Sequence, residues 1–276
     1  MSKEVVKSSK GGVPDAVKAH SALASLYQQN AQDDMASTDY VMGRLLCCSS
    51  QHDFVKEEKA KPGQIVDNRQ LALVADKGVK VPVIPLHWYK SFRLYSDETN
   101  KDVYVGALDY TPETRHHEAK SRKGYRIEHT WVDGLTGKEV TKSVKCALAY
   151  TFIVALADQP NAVPRTIIFD KGNAFEGKKW VTAIKENQAI GYPAPFFRTY
   201  GLFTTLKKSN DNSWDAFDIV DLKATDDAEL TALESPHNWV EMAVKMQLRA
   251  HETEVDDGPA ANAAEPRTSV SEKDEF

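Results

Sequence analysis

Basic side chains interleaved with aromatic rings are the residues of this chain best suited to act on a ligand. Residues 115–126 gather Arg115, Lys120, Arg122, Lys123 and Arg126 around His116, His117 and Tyr125, with Glu118 as their one acid. Cations at that density neutralise phosphate oxygens, and a neighbouring ring can stack on a base. A second run has the same grammar: Trp88, Tyr89, Lys90, Phe92 and Arg93. The third, residues 192–208, contains no acid and supplies Phe197, Arg198, Tyr200, Lys207 and Lys208. Strand alternation would set Phe197, Thr199 and Gly201 on one face and Phe196, Arg198, Tyr200 and Leu202 on the other; one set must then face a core. The competing reading is plain packing, with large rings filling the core and charge runs keeping the surface soluble.

Other chemistries fit less well. Residues 172–179, GNAFEGKK, follow an apolar strand and precede a helix, where a phosphate-binding glycine loop would stand. Lys179 occupies the position that such a loop gives to a magnesium-ligating Ser or Thr, and Glu176 sets a negative charge where phosphate would lie. The eight histidines are scattered, and no G-x-S-x-G or compact carboxylate pattern marks a catalytic centre. Cys47, Cys48 and Cys146 form neither a C-x-x-C pair nor a disulfide framework, so reduced thiols and no metal are expected. The residues point to a protein without catalytic activity or cofactor.

The elements that must position these runs are mostly strands. Apolar and β-branched patterns predict strands at 79–84, 89–95, 103–105 and 165–169, with Pro82 suggesting an edge. A hairpin is predicted from 125–131 and 139–156, turning between Gly134 and Gly137, and a second from 196–206 and 213–222. Trp180, Ala183 and Ile184 recur on one face of a helix over 174–189 that Gly191 closes, and a further helix is expected over 226–249, broken at Ser235-Pro236. Five or six strands with few helices predict a mainly β fold with peripheral helices: a small barrel of the oligonucleotide-binding (OB) kind, or a strongly curved antiparallel sheet.

Three regions follow from composition. Residues 1–38 read as an arm or peripheral helix with Ala22, Leu23, Leu26 and Tyr27 at helical spacing, residues 39–250 as the binding domain, and residues 251–276 as a disordered acidic tail. Eight acids against two bases in that tail account for a net charge of −5 and leave the body near neutral. No apolar run is long enough to span a bilayer and no apolar signal segment opens the chain, so a cytoplasmic, membrane-free location is expected.

A β-rich, basic-aromatic body followed by an acidic tip ending in Asp274, Glu275 and Phe276 resembles the single-stranded-DNA-binding proteins of bacteria and tailed bacteriophages. Residues 42–46, 59–63, 81–87 and 198–205 are likewise similar to segments of phage replication proteins. The resemblance implies an OB barrel that coats single-stranded DNA in phage replication and recombination, in the host cytoplasm. It further implies that Asp274, Glu275 and Phe276 contact a polymerase, helicase or primase, and it leaves a homodimer open. Alternatives from the residues alone are a phage virion or scaffold-type structural protein, a strand-annealing protein, and a nuclease or NTPase.

Overall fold

The computed structural model describes residues 43–50, 52–97, 102–121, 124–134, 136–160, 162–209 and 212–234. The expected arm, the acidic tail with Asp274, Glu275 and Phe276, and Arg122 and Lys123 lie outside these residues. In chain order the strands are β1 (Gly43–Cys47), β2 (Ile65–Asp67), β3 (Ala72–Ala75), β4 (Val81–Ser96), β5 (Val103–Asp109), β6 (Arg126–Val132), β7 (Glu139–Leu156), β8 (Arg165–Phe169), β9 (Arg198–Ser209) and β10 (Asn212–Ala224). The α-helices are α1 (Asp53–Lys56), α2 (Glu118–Ser121), α3 (Ala174–Ala189) and α4 (Asp227–Leu233).

β4 and β7 are the spine. They pair antiparallel from Val83↔Leu156 to Tyr95↔Lys145, and each is long enough to hold two further neighbours in succession. The first residues of β4 pair with β9 and its last with β5; the end of β7 pairs with β8 and its beginning with β6. The main path runs β10-β9-β4-β7-β8-β1-β2-β3, while β5 and β6 extend the spine into an outer four-stranded lobe.

The result is mainly β with few short helices, as expected, but differs from a small antiparallel barrel in three ways. Among the described residues there are ten strands, β1 runs parallel to β8, and the ends of the path do not join by backbone pairing. They meet through side chains instead: Thr204 on β9 donates to the Gly63 carbonyl before β2, and Lys77 after β3 pairs with Asp215 on β10. The sheet therefore curls until its edges touch without closing.

Pro82 lies in the central strand, not on an edge. It is the second residue of β4, opposite Gly201, and Pro85 falls at the bulge before His87; a strand tolerates a missing N–H at its start or at a bulge. The two predicted segments 79–84 and 89–95 are thus one sixteen-residue strand.

Helix α3 fills the hollow of the curled sheet. Its Trp180, fully buried, stacks on Phe152 at 4.0 Å and meets Phe169 and Tyr200 edge-on. Gly177 allows that approach, since a Cβ there would stand 2.7 Å from Phe169 Cβ and 2.8 Å from Tyr150 Cβ. Asn187, also buried, donates to the Tyr200 hydroxyl and to Asp221. Helix α4 covers only seven residues of its predicted span, starting at a capping box in which Asp226 and Glu229 exchange backbone hydrogen bonds; residues 235–249 lie outside the described set.

Cys47, Cys48 and Cys146 are thiols that form no disulfide among the described residues. Burial, with Asp215 and Cys48 adding to it, pushes the Cys47 thiol from 9.0 up to about 12, and burial pushes Cys146 up to about 11. Ellman's reagent at pH 8 is therefore expected to label Cys47 and Cys146 far more slowly in the native protein than in urea. Because the folded state holds these protons more tightly, their stabilising contribution is full below about pH 9 and declines as pH rises through the native values. Rapid native labelling would show that the sheet opens around them.

Candidate nucleic-acid interface

The outer lobe presents a face set by strand parity. Cα partners share a side of a sheet, so the pairs Phe92↔Leu148, Phe92↔Leu108, Ile127↔Val144 and Trp131↔Val140 place these residues together. Along β6 burial alternates without a break: Ile127, His129 and Trp131 are half-buried, whereas Arg126, Glu128, Thr130 and Val132 are exposed on the reverse. Tyr125, whose carbonyl accepts from the Cys146 N–H, begins the ring-bearing row. His129 and Trp131 lie nearly parallel with centroids 6.1 Å apart, and Tyr125 lies 5.4 Å from His117. His129 sits over Gly106, where φ is +153° and a Cβ would approach Nε2 to 3.0 Å; glycine is what admits the imidazole.

The segment before β6 borders this face. Residues 115–117 form a 3₁₀ turn leading into α2, so the basic run has local helical order. Glu118 pins it, accepting from Lys90 Nζ at 3.2 Å and from the Tyr110 hydroxyl. Burial alone would raise the Glu118 pKa, but these hydrogen bonds outweigh it and hold the carboxyl below its ordinary value. His117 packs edge-on to Phe92; burial and the nearby charges of His116 and Lys120 lower its pKa and favour the neutral ring. Lys120 Nζ lies 5.3 Å from the Tyr125 centroid.

Where the lobe meets the first turns of α3, a cleft of about 270 Å³ opens between Leu148, Tyr150, Lys171, Phe175 and Lys178. Leu148 and Tyr150 lie on the same side of β7 as the ring-bearing row and are themselves buried in the core that the row packs against. Phe175 is 64% exposed, with Lys179 Nζ 4.9 Å from its centroid. Lys178 makes no ion pair among the described residues, although its charge helps lower the pKa of Glu118. Phe175, the groove and the lysines Lys171 and Lys178 thus lie together at one end of this side of β7.

The residues singled out by sequence are distributed unevenly around this site. Arg115 and Lys120 are exposed at its border, Tyr125 lies on it, and Lys90 approaches it through Glu118 and the rings of Tyr110 and Tyr150. Tyr89, Phe197 and Tyr200 are buried, and Trp88 is half-buried beside Phe152. Arg93 is buried under Tyr104 with Asp170 as its carboxylate. Burial, and Asp170 beside it, push the Tyr95 phenol well above its ordinary range. Arg126 makes two hydrogen bonds to Asp97, which lower that carboxyl's pKa. Arg198 binds Asp221, Lys207 binds Glu176 and Asp218, and Lys208 is exposed. His129, Trp131, Lys171, Phe175 and Lys178 were not singled out by sequence; strict alternation in 126–132 was the signal for the first two.

A mainly β protein with an open sheet wrapped on one helix is the class that these features define. The family model of Pam3 phage gp34-like proteins matches residues 11–255, and the chain belongs to that family. No curated protein and no solved structure matches it. Among the described residues no helix is long and apolar enough to cross a membrane.

Proposed function

We propose that this phage-family protein binds single-stranded DNA through the ring-bearing face of its outer lobe. The observation that carries the reading is the half-buried row Tyr125, His129 and Trp131, of which Tyr125 and Trp131 pack one side against the core, together with a cleft where Phe175 and Lys178 face solvent. His129 and Trp131, two apart on β6, repeat at about 6.8 Å, and rings so spaced can stack on successive unpaired bases while lysines take phosphates. A duplex hides the faces of its bases, so the arrangement suits single strands. Within the same proposal the protein acts without catalysis, coats DNA in phage replication or recombination, and uses Asp274, Glu275 and Phe276 to reach a replication partner.

Fluorescence polarisation with labelled oligo(dT) at several salt concentrations tests this. Trp131→Ala is expected to weaken binding by about 5- to 100-fold, the loss of roughly 1–3 kcal/mol for one stacked base. Lys178→Ala should shrink the salt slope by about 0.7, one phosphate contact on a single strand. Absence of binding at low salt, or binding indifferent to salt, would reject the proposal.

A phage structural protein is the second reading. It is favoured by the pinning of Arg93, Arg126, Arg198 and Lys207 to carboxylates and by the exposed apolar Leu71, Leu73 and Val79 around β3. Sedimentation as a large oligomer without nucleic acid would select it.

A further inference from the structure

Beyond the last spine pair, Tyr95↔Lys145, β6 and β7 continue as a ribbon in which the described partner of each strand is the other. Its pairs are Glu128↔Ser143, His129↔Lys142, Thr130↔Thr141, Trp131↔Val140 and Val132↔Glu139. Partners share a side of a ribbon and successive pairs alternate, so His129, Lys142, Trp131 and Val140 form one face. Glu128, Ser143, Thr130, Thr141, Val132 and Glu139 form the reverse, where the Thr130 and Thr141 hydroxyls lie 2.8 Å apart.

Charge is sorted between the two faces. The ring face of the ribbon holds a cation, Lys142, and no carboxylate, whereas both glutamates of the ribbon, Glu128 and Glu139, stand on the reverse. Lys142, Glu128 and Glu139 are all exposed, so burial in a core does not account for the division. Farther along the reverse side, Arg126 and Lys145 are paired with Asp97, and Lys145 also with Asp102. A phosphate that approaches the reverse meets carboxylates; one that approaches the ring face meets an ammonium.

Lys142 is also in register with the rings. Directly opposed residues of an antiparallel pair have Cα atoms about 4.5–5.5 Å apart, and diagonal neighbours at about 7–8 Å remain within reach of a long side chain. The Lys142 ammonium, on its flexible four-carbon stem, can therefore meet a phosphate beside His129 or beside Trp131. The opposite flank of the row is closed at His129, whose Nε2 would stand 3.0 Å from a Cβ on Gly106 of β5. Resting on the single-stranded-DNA reading, we propose that Lys142 binds the phosphate that links the bases stacked on His129 and Trp131. The strand then runs along the ribbon with its bases over β6 and its backbone over β7, and Glu128 and Glu139 keep the backbone off the other face.

The test is polarisation of the full chain with labelled oligo(dT) over a salt series. Lys142→Gln should reduce the slope of log K against log salt by about 0.7, one phosphate contact on a single strand, and Lys142→Arg should keep the native slope. Lys142→Gln combined with Thr141→Lys restores the native net charge but carries the cation to the reverse face; its slope should stay reduced. A native slope in Lys142→Gln overturns the contact. Recovery of the native slope in the double variant overturns it as well, since net charge and not the ring face would then be the cause. Absence of binding by the native protein at low salt rejects the single-stranded-DNA reading and the contact with it, whereas salt-dependent binding with an unchanged slope in Lys142→Gln rejects the contact alone.

Discussion

Trp180→Ala is expected to lower stability by about 3–5 kcal/mol, the cost of removing a large ring from a packed core that relaxes only in part. The indole is 0% exposed and touches three rings at once, Phe152, Phe169 and Tyr200, which belong to β7, β8 and β9. No single neighbour can move into the space without abandoning another strand. A urea titration should show a lower midpoint with an unchanged slope. A loss under 1 kcal/mol would mean that the helix is not the centre of the core. Gly177→Ala probes the same contact from the opposite side: the added methyl has nowhere to go, and overpacking should cost about 1–3 kcal/mol.

A loss of similar size, about 3–5 kcal/mol, is expected for Asp67→Ala, through electrostatics and not volume. Arg165 and Asp67 form an ion pair in which the side chains are 3% and 2% exposed. The carboxylate also accepts from the backbone N–H groups of Arg69 and Gln70, and so shapes the turn after β2. Gly43 makes room for the pair, since a Cβ there would lie 2.9 Å from Arg165 Cδ and 3.0 Å from Asp67 Oδ1. Taking away the carboxylate leaves a guanidinium buried with only backbone carbonyls for company. Replacing both partners by apolar residues, Asp67→Leu with Arg165→Met, should recover much of the loss, because two desolvation penalties disappear together. If the single variant melts like the native protein, the pair is not sealed from water.

Local patterns in the sequence were good guides to local structure. The hairpin of β6 and β7, the strand at 165–169, the ribbon of β9 and β10 and the helix at 174–189 all follow from apolar periodicity and turn residues. What periodicity cannot supply is which strands become neighbours. The pairing of β4 with β7 and β9, and the parallel contact of β1 with β8, join residues far apart in the chain. The same limit governed the site. Strand alternation would divide Phe197 from Tyr200, but residues 195–197 form a 3₁₀ turn before the strand, and Phe196, Phe197 and Tyr200 are all buried. Arg126 and Lys207 look available in sequence because Asp97, Glu176 and Asp218, which hold them, are distant from the runs that drew attention. The rings at His129 and Trp131 stand in a segment with a single arginine, where a search led by charge density does not look.

The two spine strands pass without interruption from the hollow around α3 into the outer lobe, and this fixes how the lobe meets a ligand. Tyr125, His129 and Trp131 stand on or beside a strand paired along its whole length with β7, whose far end is locked beneath Trp180. Little conformational freedom is left in that row for an encounter to remove. Association then loses less entropy to ordering than it would with rings borne on a loose loop. On the reading proposed above, a ligand arriving at this face would find its contacts already in position.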